Sequence, residues 1–280
     1  TIGGGVRSIE DISNLLKSFD MSNLIVTGGG TGLGKEMCLA MAQAGADLVI
    51  AARRLEPIEE VSKLVRGFGR RSLAIPTDAT DTSDIKTLFD TVLAEFGKVD
   101  VLINNAGIVR EDSAKPIWEI TDESWKIGID VNLSTAFYCS REISKHMADN
   151  GGGKIVHVSS GFGFRGGRDN YIYAAGKGGI VNLTRAMATS LGRYGITTNC
   201  IVPGFIPTEV TDPNSDRSQQ RGRFIPIGRV GQPSEMGPLA VYLASEASDY
   251  MNGEFFAIDG GGLAGGIAPT LHAPEIPLEI

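Results

Sequence analysis

Cysteine is scarce and unpatterned in this 280-residue chain: Cys38, Cys139 and Cys200 are odd in number, widely separated and form no CxxC pair. Neither a disulfide framework nor a thiolate zinc site is indicated. Histidine is as sparse, with His146, His157 and His272 scattered, so no metal is expected. Long hydrophobic runs are missing too. Apolar stretches such as "LVIAA" (48–52) and "VLI" (101–103) are strand-sized, far below the roughly 18 residues that a membrane span needs. Positive charge is not in excess, and a formal net charge of −7 argues against nucleic acid or an anionic membrane surface as the main partner. The polar, glycine-containing start at Thr1 lacks the basic-then-apolar pattern of a secretory signal. A cytoplasmic address is therefore expected, although a start without Met leaves open that residues precede it.

What is present is the pattern of a folded α/β protein. From about residue 23 to 258, short β-branched runs alternate with longer helical patterns, the signature of a parallel sheet covered on both faces. Strands are expected at 23–27, 47–52, 72–76, 99–104, 154–159, 197–202 and 254–259, and helices near 33–44, 57–68, 82–96, 122–149, 173–193 and 234–246. No linker divides the chain, so 23–262 reads as one doubly wound, Rossmann-type domain of about seven strands. Residues 1–22 form an N-terminal extension with a short helix over 8–19. The Gly- and Pro-rich residues 263–280 read either as a disordered tail or as an arm packed on a neighbouring subunit.

The first strand runs into "TGGGTGLGKEMCLAMAQAG" (27–45). Gly28, Gly32 and Gly34 fall where the strand must turn into a helix, and glycines there let the backbone approach a pyrophosphate at the helix's positive end. The spacing is T-G-x-x-x-G-x-G. A phosphate-transfer loop is set aside because Glu36 stands where Ser or Thr is needed. An NAD site commonly carries an acid at the end of the second strand. Here that place reads "AARR", with Arg53 and Arg54, whose fixed charge and donor fork suit a 2′-phosphate. NADP(H) is preferred on this ground, and NAD(H) stays possible if both arginines are merely solvated.

The stretch "NYIYAAGK" (170–177) holds two tyrosines. Tyr173 and Lys177 are four apart and share a helix face; Tyr171 has Ala175 in that position. A free phenol, with a pKa of about 10, is a poor base at neutral pH, and a nearby ammonium favours its ionised form. Ser160 lies at the C-terminal end of the strand "KIVHVS" (154–159), at the sheet edge where ligands bind, while Ser159 should point to the opposite face. The preceding strand ends in "NNAG" (104–107), where small residues and an amide can line a nicotinamide ribose.

Taken together, "TGGGTGLG", "NNAG", "VSS" followed by "YAAGK", "PG" (203–204) and "DGG" (259–261) resemble the short-chain dehydrogenase/reductase family, in its branch of about 250 residues. The resemblance spans about 22–262. It implies Tyr173 as general acid/base, Lys177 as its pKa-lowering and ribose-binding partner, Ser160 as the substrate-polarising hydroxyl and Asn132 as part of a proton relay. For the cofactor it implies Thr31, Leu33 and the glycines of the turn, Asp78 and Ala79 beside the adenine, and Asn104, Ala106 and Gly107 beside the ribose. Pro203, Gly204, Ile206 and Thr208 would lie at the nicotinamide. The implied reaction is reversible hydride transfer between NADP(H) and a secondary alcohol or ketone. An NAD(H)-dependent enzyme of the same family and a non-catalytic dinucleotide-binding subunit are the alternatives. Thr31 departs from the basic residue that many NADP-preferring members carry there.

The segment 205–231 reads as a mobile lid over a small-molecule site. Phe162, Phe164, Tyr171 and Phe205 are candidate walls for the substrate, with plain core packing as the equal alternative for each. Arg165, Arg168, Arg217, Arg221 and Arg223 would favour an anionic substrate if any of them reaches the pocket; the other reading leaves them solvated or paired with Glu209, Asp212 and Asp216. The resemblance also implies a homotetramer built on the helices around 122–149 and 173–193.

Overall fold

A computed structural model describes residues 23–108, 115–208 and 215–265. The expected helix at 8–19 and most of the C-terminal tail lie outside the described residues.

The sheet has seven parallel strands in the order β3-β2-β1-β4-β5-β6-β7. They are β1 (Asn23–Thr27), β2 (Asp47–Ala52), β3 (Ser72–Pro76), β4 (Val101–Asn104), β5 (Gly153–Val158), β6 (Ile196–Pro203) and β7 (Phe255–Ile258). Nearly continuous β-branched and aliphatic runs suit strands buried on both faces. Alternate residues serve different layers. Leu24 and Val26 pack with α1 (Gly32–Gln43) and α2 (Leu55–Gly67), whereas Ile25 packs with α3 (Thr82–Phe96). Since a parallel pair needs a crossover, each strand rises in the same sense and all C-terminal ends share one rim.

The expected long helix at 122–149 is interrupted. It divides into α4 (Asp122–Ile129), a π-helical turn over Asp130–Ser134 and α5 (Thr135–Asp149). The reason lies in the bonds of Asn132. Asn132 Nδ2 donates to Gly128 O at 3.0 Å, occupying the carbonyl that an unbroken α-helix would offer to the N–H of Asn132. The Thr135 N–H accordingly reaches back to Asp130 O.

Helix α6 (Tyr171–Leu191) begins two residues earlier than its pattern predicts and carries both tyrosines in its first turn. Within the lid segment, a short helix α7 (Asp216–Gly222) follows the undescribed residues 209–214. The base of this excursion is tied down: Gly231 N–H donates to Phe205 O at 3.0 Å and Ile227 N–H to Gly260 O at 3.2 Å. Helix α8 (Met236–Ala244) then returns the chain beneath α1.

Candidate active site

The glycine turn is built for close approach. Gly28 and Gly32 adopt φ of +66° and +55°, in the left-handed region that side chains disfavour. At Gly34 a β-carbon would stand 2.2 Å from Gly28 O, so only hydrogen fits where α1 meets the turn. Thr31 precedes α1 without capping it by its side chain, and no acidic residue lies in the first helical turn. Leu33 packs at the margin of the core. Thr208 touches the turn from the far side, since a β-carbon on Gly32 would meet its methyl at 3.0 Å.

The sequence reading passed over Asn105. Its Nδ2 donates to Thr27 O and to Gly28 O, both at 3.1 Å, while Thr27 Oγ1 accepts from the main-chain N–H groups of Asn105 and Ala106. These bonds staple the end of β4 to the glycine turn. The residue stood in the quoted "NNAG", but nothing local tells which of its two amides faces the turn. Asn104 takes the opposite direction. Only 4% exposed, it donates to Ser140 Oγ at 2.9 Å and Ala136 O at 3.4 Å of α5. The Asn104 side chain therefore points into the helix layer, and of the two amides in "NNAG" it is that of Asn105 that lies at the glycine turn.

Arg53 and Arg54 stand exposed just beyond β2 and form no ion pair among the described residues. Asp78 is half-buried in a turn in which its carboxylate accepts from Thr80 N–H at 3.0 Å and Thr80 Oγ1 at 2.7 Å. Ala79 packs against the core beside α3. Pro203 closes β6, and Gly204 N–H donates to Ile258 O at 2.8 Å.

Three elements bring the chemical groups together. Lys177 is 4% exposed, and its ammonium donates to Val158 O at 2.9 Å. Burial lowers its pKa to about 8. Asn132 Oδ1 accepts from Ile108 N–H and its Nδ2 donates to Ile108 O, both at 3.0 Å, so the π turn is clasped to the segment after β4. Ser160 is near enough to Tyr173 to favour its ionised form, and Ser160 Oγ accepts from Phe162 N–H at 3.2 Å. Ser159, facing away, donates to Lys177 O at 2.8 Å. Its role is to seat α6.

Lysine was expected to lower the phenol's pKa. In the protein by itself the direction is opposite: burial raises Tyr173, and Ser160 works against that rise. The Lys177 ammonium lies 5.8 Å from the Tyr173 ring centroid, reached over the ring face and not at the hydroxyl.

Phe162 meets Tyr173 edge to face at 6.2 Å, and the Arg165 guanidinium lies 5.6 Å from the Phe162 ring centroid. Arg168 is exposed and Tyr171 is 37% exposed, at the mouth of α6. Phe164 packs edge to face on Phe255 of β7. Phe205 and Ile206 line a small apolar cavity with Ile225, Ile227 and Ile258, and the Arg221 guanidinium lies 4.4 Å over the Phe205 ring. Phe164 and Phe205 thus make their visible contacts with β7 and with the lid.

The family model described as enoyl-(acyl carrier protein) reductase matches residues 28–262. The 2-dehydro-3-deoxy-D-gluconate 5-dehydrogenase of Escherichia coli K12 is 39% identical over 257 residues, covering 89% of this chain and 99% of that protein. The cis-4-hydroxycyclohexanecarboxylate dehydrogenase of Sinomonas cyclohexanicum is 35% identical over 239 residues, covering 85% and 94%. Among solved structures, a candidate NAD(P)-dependent gluconate 5-dehydrogenase from Beutenbergia cavernae, with NADP bound at low occupancy, superposes with a TM-score of 0.80 at 33% identity, covering 87% of this chain and 97% of that one. A seven-stranded parallel sheet, a glycine turn at its rim and these relatives across nearly their full lengths lead to one conclusion: the chain belongs to the short-chain dehydrogenase/reductase family and is an NAD(P)-dependent oxidoreductase acting on CH–OH groups.

Proposed function

We propose that the protein is an NADP(H)-dependent dehydrogenase of a secondary alcohol, and that Tyr173 moves the hydroxyl proton. The observation that carries this reading is that the buried Lys177 ammonium lies 5.8 Å over the ring of Tyr173, whose ionised form the nearby Ser160 favours. Bound in the glycine turn, a nicotinamide cofactor supplies or accepts the hydride. Gly28, Gly32 and Gly34 would hold its pyrophosphate and Arg53 its 2′-phosphate.

Ser160 Oγ donates to the substrate oxygen and orients it towards Tyr173 Oη. Tyr173 takes the hydroxyl proton in oxidation and returns it in reduction. An ammonium has three donors, of which Val158 O takes one from Lys177, so a ribose hydroxyl can be held by another. Burial alone keeps Tyr173 protonated, which suits the reductive direction; oxidation needs the positive charge of Lys177 and of an oxidised nicotinamide beside the ring. Asn132, clasped to Ile108, holds the π turn beside Lys177 and would anchor the relay that returns protons to solvent.

The substrate we propose is a carboxylated hydroxy compound of the 2-dehydro-3-deoxygluconate type. All three dehydrogenases compared above are named for carboxylic acids, and Arg165 lies one ring away from Tyr173. Assembly as a homotetramer belongs to the same proposal, with exposed Trp125 and Phe137 on α4 and α5 as its apolar contacts.

A panel of sugar acids, cyclic hydroxy acids and neutral alcohols, followed by nicotinamide absorbance, tests this reading. Turnover is expected for carboxylated members. Tyr173→Phe should lose about 10²- to 10⁴-fold in kcat, while Tyr171→Phe should change KM at most. A Tyr173→Phe protein as active as the parent would falsify the assignment.

A further inference from the structure

The three residues of β5 and its end that precede Ser160 each grip α6. Val158 O takes the Lys177 ammonium, Ser159 Oγ donates to Lys177 O, and His157 Nδ1 lies 3.0 Å from Thr184 Oγ1. Thr184 stands seven residues after Lys177, on the same face of α6 two turns on. The first two contacts belong to the site already described. The third has no part in the chemistry, yet it buries an imidazole completely, at 0% exposure.

A buried imidazole needs partners for both nitrogens, and here the ends of the chain of bonds set its direction. Thr184 Oγ1 donates to Ile180 O at 2.8 Å. Its one proton is thus committed, and its oxygen accepts from His157 Nδ1–H. At the other end, Asn104 Nδ2 faces the Ala136 carbonyl, which only accepts, so the amide also donates to Ser140 Oγ at 2.9 Å. Ser140 keeps its proton for His157 Nε2, 3.5 Å away. One directional chain runs from Asn104 through Ser140, His157 and Thr184 to Ile180. It joins β4, α5, β5 and α6, and it requires the neutral tautomer protonated at Nδ1.

The groups facing the ring agree with that state. Helix α6 presents Lys177 besides Thr184, and β6 presents Cys200, the register partner of His157. The Cys200 thiol is pushed up to about 12 by burial and stays neutral. Strand β4 and α5 present Asn104 and Ser140, which carry no charge. Burial, with Lys177 adding to it, lowers the imidazole to about 3.

We propose that His157 is a positioning residue for the reaction: through Thr184 it sets the height of α6 on β5, and with it the separation of Ser160 from Tyr173 and Lys177. The inference rests on the roles proposed above for those three residues. An apolar side chain at 157 can fill the space but cannot prescribe the height of α6, because a hydrogen bond is directional and dispersion is not. Small misplacements of reacting groups cost large factors in rate.

The experiment compares Thr184→Val, His157→Leu and His157→Asn with the parent and with Tyr173→Phe. Valine keeps the branched shape and removes the acceptor; asparagine keeps an N–H donor in place of Nδ1. Thr184→Val and His157→Leu are expected to lose about tenfold or more in kcat, with cofactor KM within about twofold. The acid limb of their kcat–pH profiles should move by about half a unit or more, as Tyr173 changes its distance from Ser160 and Lys177. His157→Asn should recover most of the rate. Folded Thr184→Val with the parent's kcat and pH profile would overturn the proposal, as would His157→Asn behaving like His157→Leu. Should His157→Leu not fold, Thr184→Val decides. Undiminished activity in Tyr173→Phe would instead overturn the catalytic assignment itself, whatever the other variants do.

Discussion

A β-carbon placed on Gly107 would stand 2.9 Å from Lys177 Nζ and 3.3 Å from Asn132 Oδ1, so this glycine is the gap into which the buried ammonium fits. The far end of a lysine is movable, and a methyl there displaces it before it disturbs the sheet. Gly107→Ala is therefore expected to lower kcat by about tenfold or more while leaving the melting temperature nearly unchanged. Steady-state kinetics and a thermal melt on the same preparation check both halves.

Gly34 presents the opposite case. The atom its β-carbon would strike is a main-chain oxygen, Gly28 O at 2.2 Å, which cannot swing aside. Gly34→Ala must push α1 off the turn, at a cost of about 1–3 kcal/mol, the usual range for overpacking. The clearest sign should be in binding: NADPH is expected to raise the melting temperature of the parent and not that of the variant.

For Arg53, exposed beyond β2, the expected outcome concerns selectivity. A charge-assisted bond to a 2′-phosphate contributes roughly 1.5–3 kcal/mol, so Arg53→Ala should raise KM for NADPH by about 10- to 100-fold and leave KM for NADH alone. Equal effects on both cofactors would show that the arginine reads something other than the phosphate.

His157 predicts a stability profile. Its folded pKa of about 3 lies below the ordinary value of 6.5, so the unfolded chain binds the extra proton first as pH falls. The contribution of the neutral ring is complete above about pH 6.5 and is lost towards pH 3, at about 1.4 kcal/mol for each pH unit. Denaturant unfolding between pH 7 and 4 should show this slope in the parent, and His157→Asn should remove it.

The parts of the site legible in the sequence are those set by short-range geometry. Tyr173 and Lys177 share a face because a helix repeats every 3.6 residues. Ser160 and Ser159 part company because side chains in a strand alternate, and Ser159 is indeed turned to Lys177 O. The glycine turn is legible because a strand running into a helix needs it. Other features depend on residues far apart in the chain. Asn104 and Asn105 are neighbours of one type, and only the packing of β4 between α5 and the glycine turn decides which of them faces the helix and which the turn. The π turn exists because Asn132 bonds both to Gly128 and across to Ile108.

By itself, then, the sequence determined the alternation of strands and helices, the glycine turn between β1 and α1, and the helix face that Lys177 shares with Tyr173 and not with Tyr171, each a matter of residues within a few positions of one another. The tertiary structure alone decided which buried groups meet: Lys177 with Val158 O, and Asn104, Ser140, His157 and Thr184 in one directed chain. Those meetings join separate strands and helices, and burial in the assembled core is what drives these groups to pair, with Asn104 Oδ1 left without a partner among the described residues.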